Sequence, residues 1–249
     1  MSNEESCVVA LEGLIGAGKT TLMDNLRWTL RNKNVPFTVG FIREPADLFN
    51  RYGTMTGCWH APLELMYKDP IQNLPMAQMH IVRESSSWYK SLIKSQRNQG
   101  FDFIITERSI ESPPIFIEAA YAAGHLSCFS RDFLLDEWRS LFDLYFAPNA
   151  IFYLDVGVDS CLDRIAERTT KSGHEPFRPG IERFLEKSYL QYLDFVNPKT
   201  FILESEFQST CDQVDDVIKL LTELYNKSKI PPTPSTVNIF GHHDNASLL

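Results

Sequence analysis

Two hydrophobic periodicities alternate along this chain. Short apolar runs rich in β-branched and aromatic residues occupy residues 7–11, 37–42, 101–106, 150–156 and 200–203. Each reads as a strand buried on both faces, because such a strand needs no polar alternation. Helical spacing of apolar positions fills residues 19–31, 76–95, 113–123, 131–145, 160–169, 180–195 and 212–227. Ser112 before Pro113 reads as an N-cap followed by proline at the first helical position, and Gly124 as the stop of the same helix. Strands separated by helices predict an α/β fold of three layers, with five parallel strands between helices and ligands gathered beyond the carboxyl ends of the strands. Residues 1–228 form one domain on this reading. Residues 229–249 turn to Pro, Ser, Thr, Asn and His without periodicity and read as a flexible tail.

The loop after the first strand changes the picture from fold to chemistry. Gly13-Leu14-Ile15-Gly16-Ala17-Gly18-Lys19-Thr20 matches G-x-x-x-x-G-K-[ST] between a strand and a helix, the context in which that motif is a P-loop. Gly13, Gly16 and Gly18 let backbone N–H groups turn onto phosphates at a helix N-terminus. Lys19 is expected to reach the β- and γ-phosphates of ATP, Thr20 to hold Mg²⁺, and Thr21 to stand beside them. A GTPase would add N-K-x-D and D-x-x-G. Asn32-Lys33-Asn34 and Asn226-Lys227-Ser228 lack the Asp, and no Asp has Gly three positions later.

Acids and cations at other strand ends narrow the reaction. Glu44 precedes Pro45, which biases it to extended backbone at the ligand edge, where a carboxylate can orient a hydroxyl and accept its proton. Standing alone, Glu44 reads more readily as a solvated strand-end acid. Glu107-Arg108-Ser109 ends the third strand, so that Glu107 can hold Mg²⁺ or its water and Arg108 can stabilise a transferring phosphoryl group or position Glu44. A structural ion pair is the alternative there. Arg164 and Arg168, four apart on a helix, share one face and lead into residues 169–180, which carry Lys171, Glu175, Arg178, two prolines and two glycines. This suits a lid over about residues 168–180 that closes on ATP, although an exposed helix face with a surface loop has the same composition.

Composition excludes more than it identifies. A net charge of −8 without a segregated basic patch argues against a nucleic-acid polymer as partner. No apolar run approaches the roughly 20 residues that cross a bilayer, and the start carries Glu4 and Glu5 rather than cations, so a cytoplasmic or nuclear setting without membrane attachment is expected. Cys7, Cys58, Cys128, Cys161 and Cys211 are scattered and never form a CxxC pair, which fits reduced thiols.

Taken together, the P-loop, Glu44-Pro45, residues 63–70 (LELMYKDP), Gln78, Glu107-Arg108-Ser109 and the Arg164/Arg168 lid resemble the deoxynucleoside kinase family of animals and viruses. That family includes the mitochondrial thymidine kinase, the deoxycytidine and deoxyguanosine kinases and the broad-specificity insect enzyme. The resemblance covers about residues 8–195 and implies a P-loop kinase fold that moves the γ-phosphoryl group of ATP, with Mg²⁺, onto a deoxynucleoside 5′-hydroxyl. It implies Glu44 as general base and Tyr67 with Glu175 at the sugar 3′-hydroxyl. Gln78 would pair with the base, and Phe49, Leu63, Met66, Ile81 and Ile117 would line the base slot. It further implies a homodimer and inhibition by an end-product triphosphate. Ala77 stands where relatives usually carry phenylalanine, Phe49 where they carry tryptophan, and Thr170 where the lid often carries arginine. Ser85 and Pro113 replace the Arg and Asp of the deoxycytidine kinase branch, so the chain leans to the thymidine kinase and insect branch and to pyrimidines. Two other functions compete. A nucleoside monophosphate kinase would need more cations near the base than Arg51 and Lys68, and a non-catalytic nucleotide-binding partner protein would tolerate loss of Glu44 or Arg108.

Overall fold

A computed structural model describes residues 6–49, 52–53, 59–60, 62–172, 181–196, 200–205 and 208–227; within these, the side chains of residues 47, 52, 53, 59, 60, 64, 67, 68, 168–172, 195 and 196 lie outside the description. The main sheet has five parallel strands in the order β2-β5-β1-β6-β7. These are β1 (Cys7–Glu12), β2 (Val39–Ile42), β5 (Phe103–Glu107), β6 (Ala150–Asp155) and β7 (Thr200–Glu204). All five fall on the predicted apolar runs. A short antiparallel ribbon, β3 (Tyr52–Gly53) with β4 (Trp59–His60), was not legible in the pattern.

Alternation along the strands divides the core into two layers. Val9, Leu11, Phe103 and Ile105 join a cluster with Leu22, Met23 and Leu26 of α1 (Lys19–Asn32), Leu185 and Tyr189 of α8 (Glu182–Val196), and Val217 and Leu221 of α9 (Thr210–Asn226). Val8, Ile42 and Ile104 point the other way, onto Tyr89 and Ile93 of α4 (Pro70–Asn98). A third cluster joins Leu74 and Val82 of α4, Ile117 of α5 (Ser112–Ala122), and Leu134 and Trp138 of α6 (Cys128–Leu141). Centre-strand residues such as Val9, Leu11 and Ile105 are fully inaccessible, which fixes the height of the strand ends that carry polar groups.

Several boundaries differ from the pattern for identifiable reasons. α4 begins at Pro70 rather than at residue 76, because Asp69 caps it by accepting from Gln72 N–H at 3.2 Å and the interior Pro75 forfeits only one backbone bond. Helices α2 (Ala46–Phe49) and α3 (Pro62–Lys68) are too short to show a period. α6 starts earlier than predicted, at Cys128, with Ser127 as its cap, and stops at Leu141; a 3₁₀ turn, Leu144–Phe146, follows. α7 (Val158–Ser172) runs past the predicted end at residue 169. The N-cap position of α5 is Glu111 rather than Ser112; the Ser112 hydroxyl instead accepts from Ser109 N–H and donates to Glu12. Gly124 does close that helix, at φ +75°.

Candidate active site

Three strand ends and one helix start converge on a cavity of about 1080 Å³ lined by the P-loop and by α4. The loop between β1 and α1 owes its shape to glycine at two places. Gly18 initiates α1 in the left-handed region at φ +101°. A Cβ on Gly16 would sit 2.6 Å from the Cys161 carbonyl of α7, so only glycine lets the loop lie against that helix. Lys19 Nζ folds back to donate to the carbonyls of Gly13 (3.0 Å) and Leu14 (2.7 Å), and Arg164 from α7 donates to the Ala17 carbonyl at 3.1 Å. Burial, then the nearby Arg108, pushes the Lys19 ammonium down to about 7, against the pull of Glu44, Glu12 and Glu107. Thr20 Oγ1 donates to Glu107 Oε1 at 2.5 Å.

Arg108 is the hinge of the acidic rim. Its backbone lies in the left-handed region at φ +61°, an arrangement that costs a non-glycine residue about 1 kcal/mol or more. The turn persists because its neighbours are tied. Arg108 N–H donates to the Leu11 carbonyl, Tyr89 OH to the Glu107 carbonyl at 2.6 Å, and Ser109 N–H to Ser112 Oγ. The side chain is buried, with Nε 3.0 Å from Glu44 Oε1 and the guanidinium carbon 4.5 Å from the Phe116 ring centre. Burial opposes its charge, but Tyr189, Glu44 and Glu12 outweigh burial and hold it protonated. Glu44 stands two residues past β2, beside the Arg43 carbonyl that Trp88 Nε1 holds at 3.1 Å, and keeps 28% of its side chain exposed to the cavity.

At the other end of the cavity, Phe49, Leu63, Met66, Gln78, Ile81, Ser85 and Pro113 line the wall. Gln78 is buried and its Oε1 has no partner, so an acceptor faces a space that holds no donor of the protein. Ala77 is buried beneath the wall and does not line it. Ile117 also differs from expectation: it packs into the cluster with Leu74 and Leu134, while Phe116, one residue earlier, takes the lining position. Tyr67 lies on α3 and Arg168 on α7, but both side chains, and Glu175 entirely, lie outside the described residues.

The deoxynucleoside kinase family profile matches residues 9–226, which spans every element of the site. The chain belongs to the deoxynucleoside kinase family. It is 23% identical over 221 residues to a deoxyadenosine kinase of Dictyostelium discoideum, covering 82% of this chain and 81% of the relative. Its fold is similar to solved structures of deoxyadenosine kinase from M. mycoides. One, with products dCMP and a flexible dCDP bound, has a TM-score of 0.67 at 17% identity and covers 87% of this chain and 99% of the other. Another, with dATP bound, has a TM-score of 0.66 at 19% identity and covers 86% and 98%. The protein is thus a deoxynucleoside kinase of α/β P-loop kinase fold. None of its described helices is long and apolar enough to cross a membrane.

Within this kinase, sequence reasoning missed a buried layer under the rim. Glu12, the last residue of β1, is wholly inaccessible and accepts hydroxyl hydrogen bonds from Ser112 (2.6 Å), Ser109 (3.2 Å) and Tyr189 (2.9 Å). Burial pushes its carboxyl up, and Arg108, Ser112 and Tyr189 pull it back in part. Tyr192, one turn beyond Tyr189, donates to Glu111 at 2.5 Å. An acid ending an apolar strand directly before Gly13 was a usable signal for Glu12. Tyr189 gave none, since its partners lie 81 and 177 positions away in sequence.

Proposed function

We propose that this kinase transfers the γ-phosphoryl group of ATP to the 5′-hydroxyl of a deoxynucleoside, with Glu44 as general base. The observation that carries this reading is Glu44 Oε1 3.0 Å from Arg108 Nε, partly exposed to the cavity that Lys19 also lines. Glu44 accepts the proton of the attacking hydroxyl, and Arg108 pairs with that carboxylate and faces the charge on the transferring group. Lys19 exchanges the Gly13 and Leu14 carbonyls for phosphate oxygens, with Gly13, Gly16, Gly18, Thr20 and Thr21 around them and Arg164 and Arg168 on the α7 side.

Thr20 and Glu107 are the residues that would hold Mg²⁺. Their hard oxygen donors already meet at 2.5 Å, and one carboxylate plus one hydroxyl suits an ion that completes its shell with water and substrate phosphates. When bound, the ion neutralises charge on the triphosphate.

Gln78 reads the base, Phe49, Leu63, Met66 and Ile81 enclose it, and Tyr67 with Glu175 holds the sugar 3′-hydroxyl. A pyrimidine preference follows from the neutral Ser85 and Pro113, both of which line the cavity. A second reading, deoxyadenosine, is supported by the relatives, which are described as deoxyadenosine kinases. Adenine offers Gln78 the same adjacent amino donor and ring-nitrogen acceptor as cytosine, and a Gln amide serves either. Competition among the four deoxynucleosides for labelled ATP decides between them: a pyrimidine monophosphate as main product supports the first reading, dAMP the second. A single kinase domain over residues 1–228, a homodimer and a cytoplasmic setting complete the proposal; the stacked, exposed Phe129 and Phe133 of α6 offer an apolar surface for a second copy.

A further inference from the structure

Helix α8 reaches under the Glu44–Arg108 pair through Tyr189. α8 presents two buried tyrosines one turn apart to two buried carboxylates, Tyr189 to Glu12 and Tyr192 to Glu111. The first of these pairs contacts Arg108 directly. Arg108 Nη1 donates to Tyr189 OH at 2.5 Å and lies 3.8 Å from Glu12 Oε2, while Tyr189 OH in turn donates to that same Oε2 at 2.9 Å. The guanidinium is thereby fixed from behind by a phenol and a carboxylate, from below by the Phe116 ring, and only its Nε edge is left for Glu44. Glu12 is in turn fixed by Ser109 and Ser112, which belong to the same strained turn as Arg108. The hydroxyls of Ser109, Ser112 and Tyr189 all donate to Glu12, whereas Arg108 Nε faces Glu44 without an aligned hydrogen bond.

A guanidinium has five donors in a rigid fork, so fixing two edges dictates where the third points. Without Tyr189 and Glu12, a buried arginine on a left-handed backbone could satisfy its charge by turning toward Glu107 as readily as toward Glu44. We propose that Tyr189 and Glu12 are positioning residues for phosphoryl transfer, which hold Arg108 in the one orientation that presents it to Glu44. This rests on the reading of Glu44 as general base. It adds that α8 is coupled to the chemistry through Tyr189.

The test is a kinetic cycle built on Tyr189→Phe, Arg108→Lys and their double mutant, with Tyr192→Phe as control. Tyr192→Phe removes an equally buried phenol from the same helix without touching Arg108. Tyr189→Phe is expected to lower kcat by roughly tenfold, the scale of one hydrogen bond to a charged group, with KM for ATP and deoxynucleoside within about twofold. In the Arg108→Lys background the same substitution is expected to change kcat by less than about twofold, because the group it positions is already gone. Tyr192→Phe should lower the melting temperature comparably while leaving kcat near wild type. An unchanged kcat in Tyr189→Phe, a loss that multiplies fully with that of Arg108→Lys, or an equal loss in Tyr192→Phe overturns the proposal. If Tyr189→Phe shows no cooperative unfolding, Glu12→Gln takes its place with the same outcomes. Glu44→Ala in the same assay separates the two levels: full activity there removes the reading beneath, whereas an inactive Glu44→Ala beside an unaffected Tyr189→Phe removes this inference alone.

Discussion

Thr20 Oγ1 and Glu107 Oε1 meet at 2.5 Å, which joins the first turn of α1 to the end of β5 at the point where a triphosphate would pass. A hydroxyl and a carboxylate at that point would supply two of the six oxygens of an octahedral magnesium shell. Glu107→Gln keeps the shape and removes the charge, and is expected to raise the Mg²⁺ concentration for half-maximal rate by about tenfold or more. Titration of activity against Mg²⁺ at saturating ATP measures it; an unshifted midpoint removes Glu107 from the ion's shell.

On the proposed reading, Lys19 makes ATP binding a proton-linked event. In the free protein burial holds its ammonium down to about 7, so above that pH much of the population is neutral. Triphosphate oxygens favour the charged form and raise the value, so the complex regains the proton. Net proton uptake means that affinity falls as pH rises through the free-state value. Calorimetry at about pH 8 in two buffers of different ionisation enthalpy should report uptake of a proton on ATP binding. Equal heats in both buffers contradict it.

The orphaned carbonyl of Gln78 predicts where acceptor affinity resides. Gln78→Leu preserves volume and removes both hydrogen-bonding groups. KM for the deoxynucleoside should rise by about 10- to 100-fold while KM for ATP stays within about twofold. Equal increases in both would indicate a disturbed fold rather than a lost base contact.

Much of this fold was legible because its determinants are local in sequence. The three central strands β1, β5 and β6 show as apolar runs since both faces are covered, the edge strands β2 and β7 show by their apolar content although Ile202 is exposed, and the P-loop shows because its glycines, lysine and threonine lie within eight residues. Glu44, Glu107 and Arg108 were found because strand ends in such folds share one edge. The segments from 46 to 70 were not readable, as helices of one or two turns and two-residue strands leave no period. Ile117 was misassigned by one residue, since helix phase against the cavity depends on how α5 packs on α6 and α8, and Phe116 faces inward instead. The Glu12–Tyr189 layer was beyond reach because it unites β1, β5, α5 and α8, elements that only tertiary packing brings together.

The sheet also predicts a stability effect remote from catalysis. Asn149 Oδ1 accepts from Val8 N–H at 2.8 Å in a buried setting, and satisfies the first free donor of the central strand. Asn149→Ala leaves that donor unpaired and should cost about 1–3 kcal/mol of unfolding free energy. Urea unfolding measures it, and a change under about 0.5 kcal/mol contradicts the pairing.

The most direct measurement is single-turnover phosphoryl transfer by Glu44→Ala, with ATP binding measured on the same sample. A positioned general base predicts a rate lower by about two decades or more with ATP affinity within about threefold of wild type. A wild-type transfer rate in that variant would contradict the assignment of the carboxylate beside Arg108.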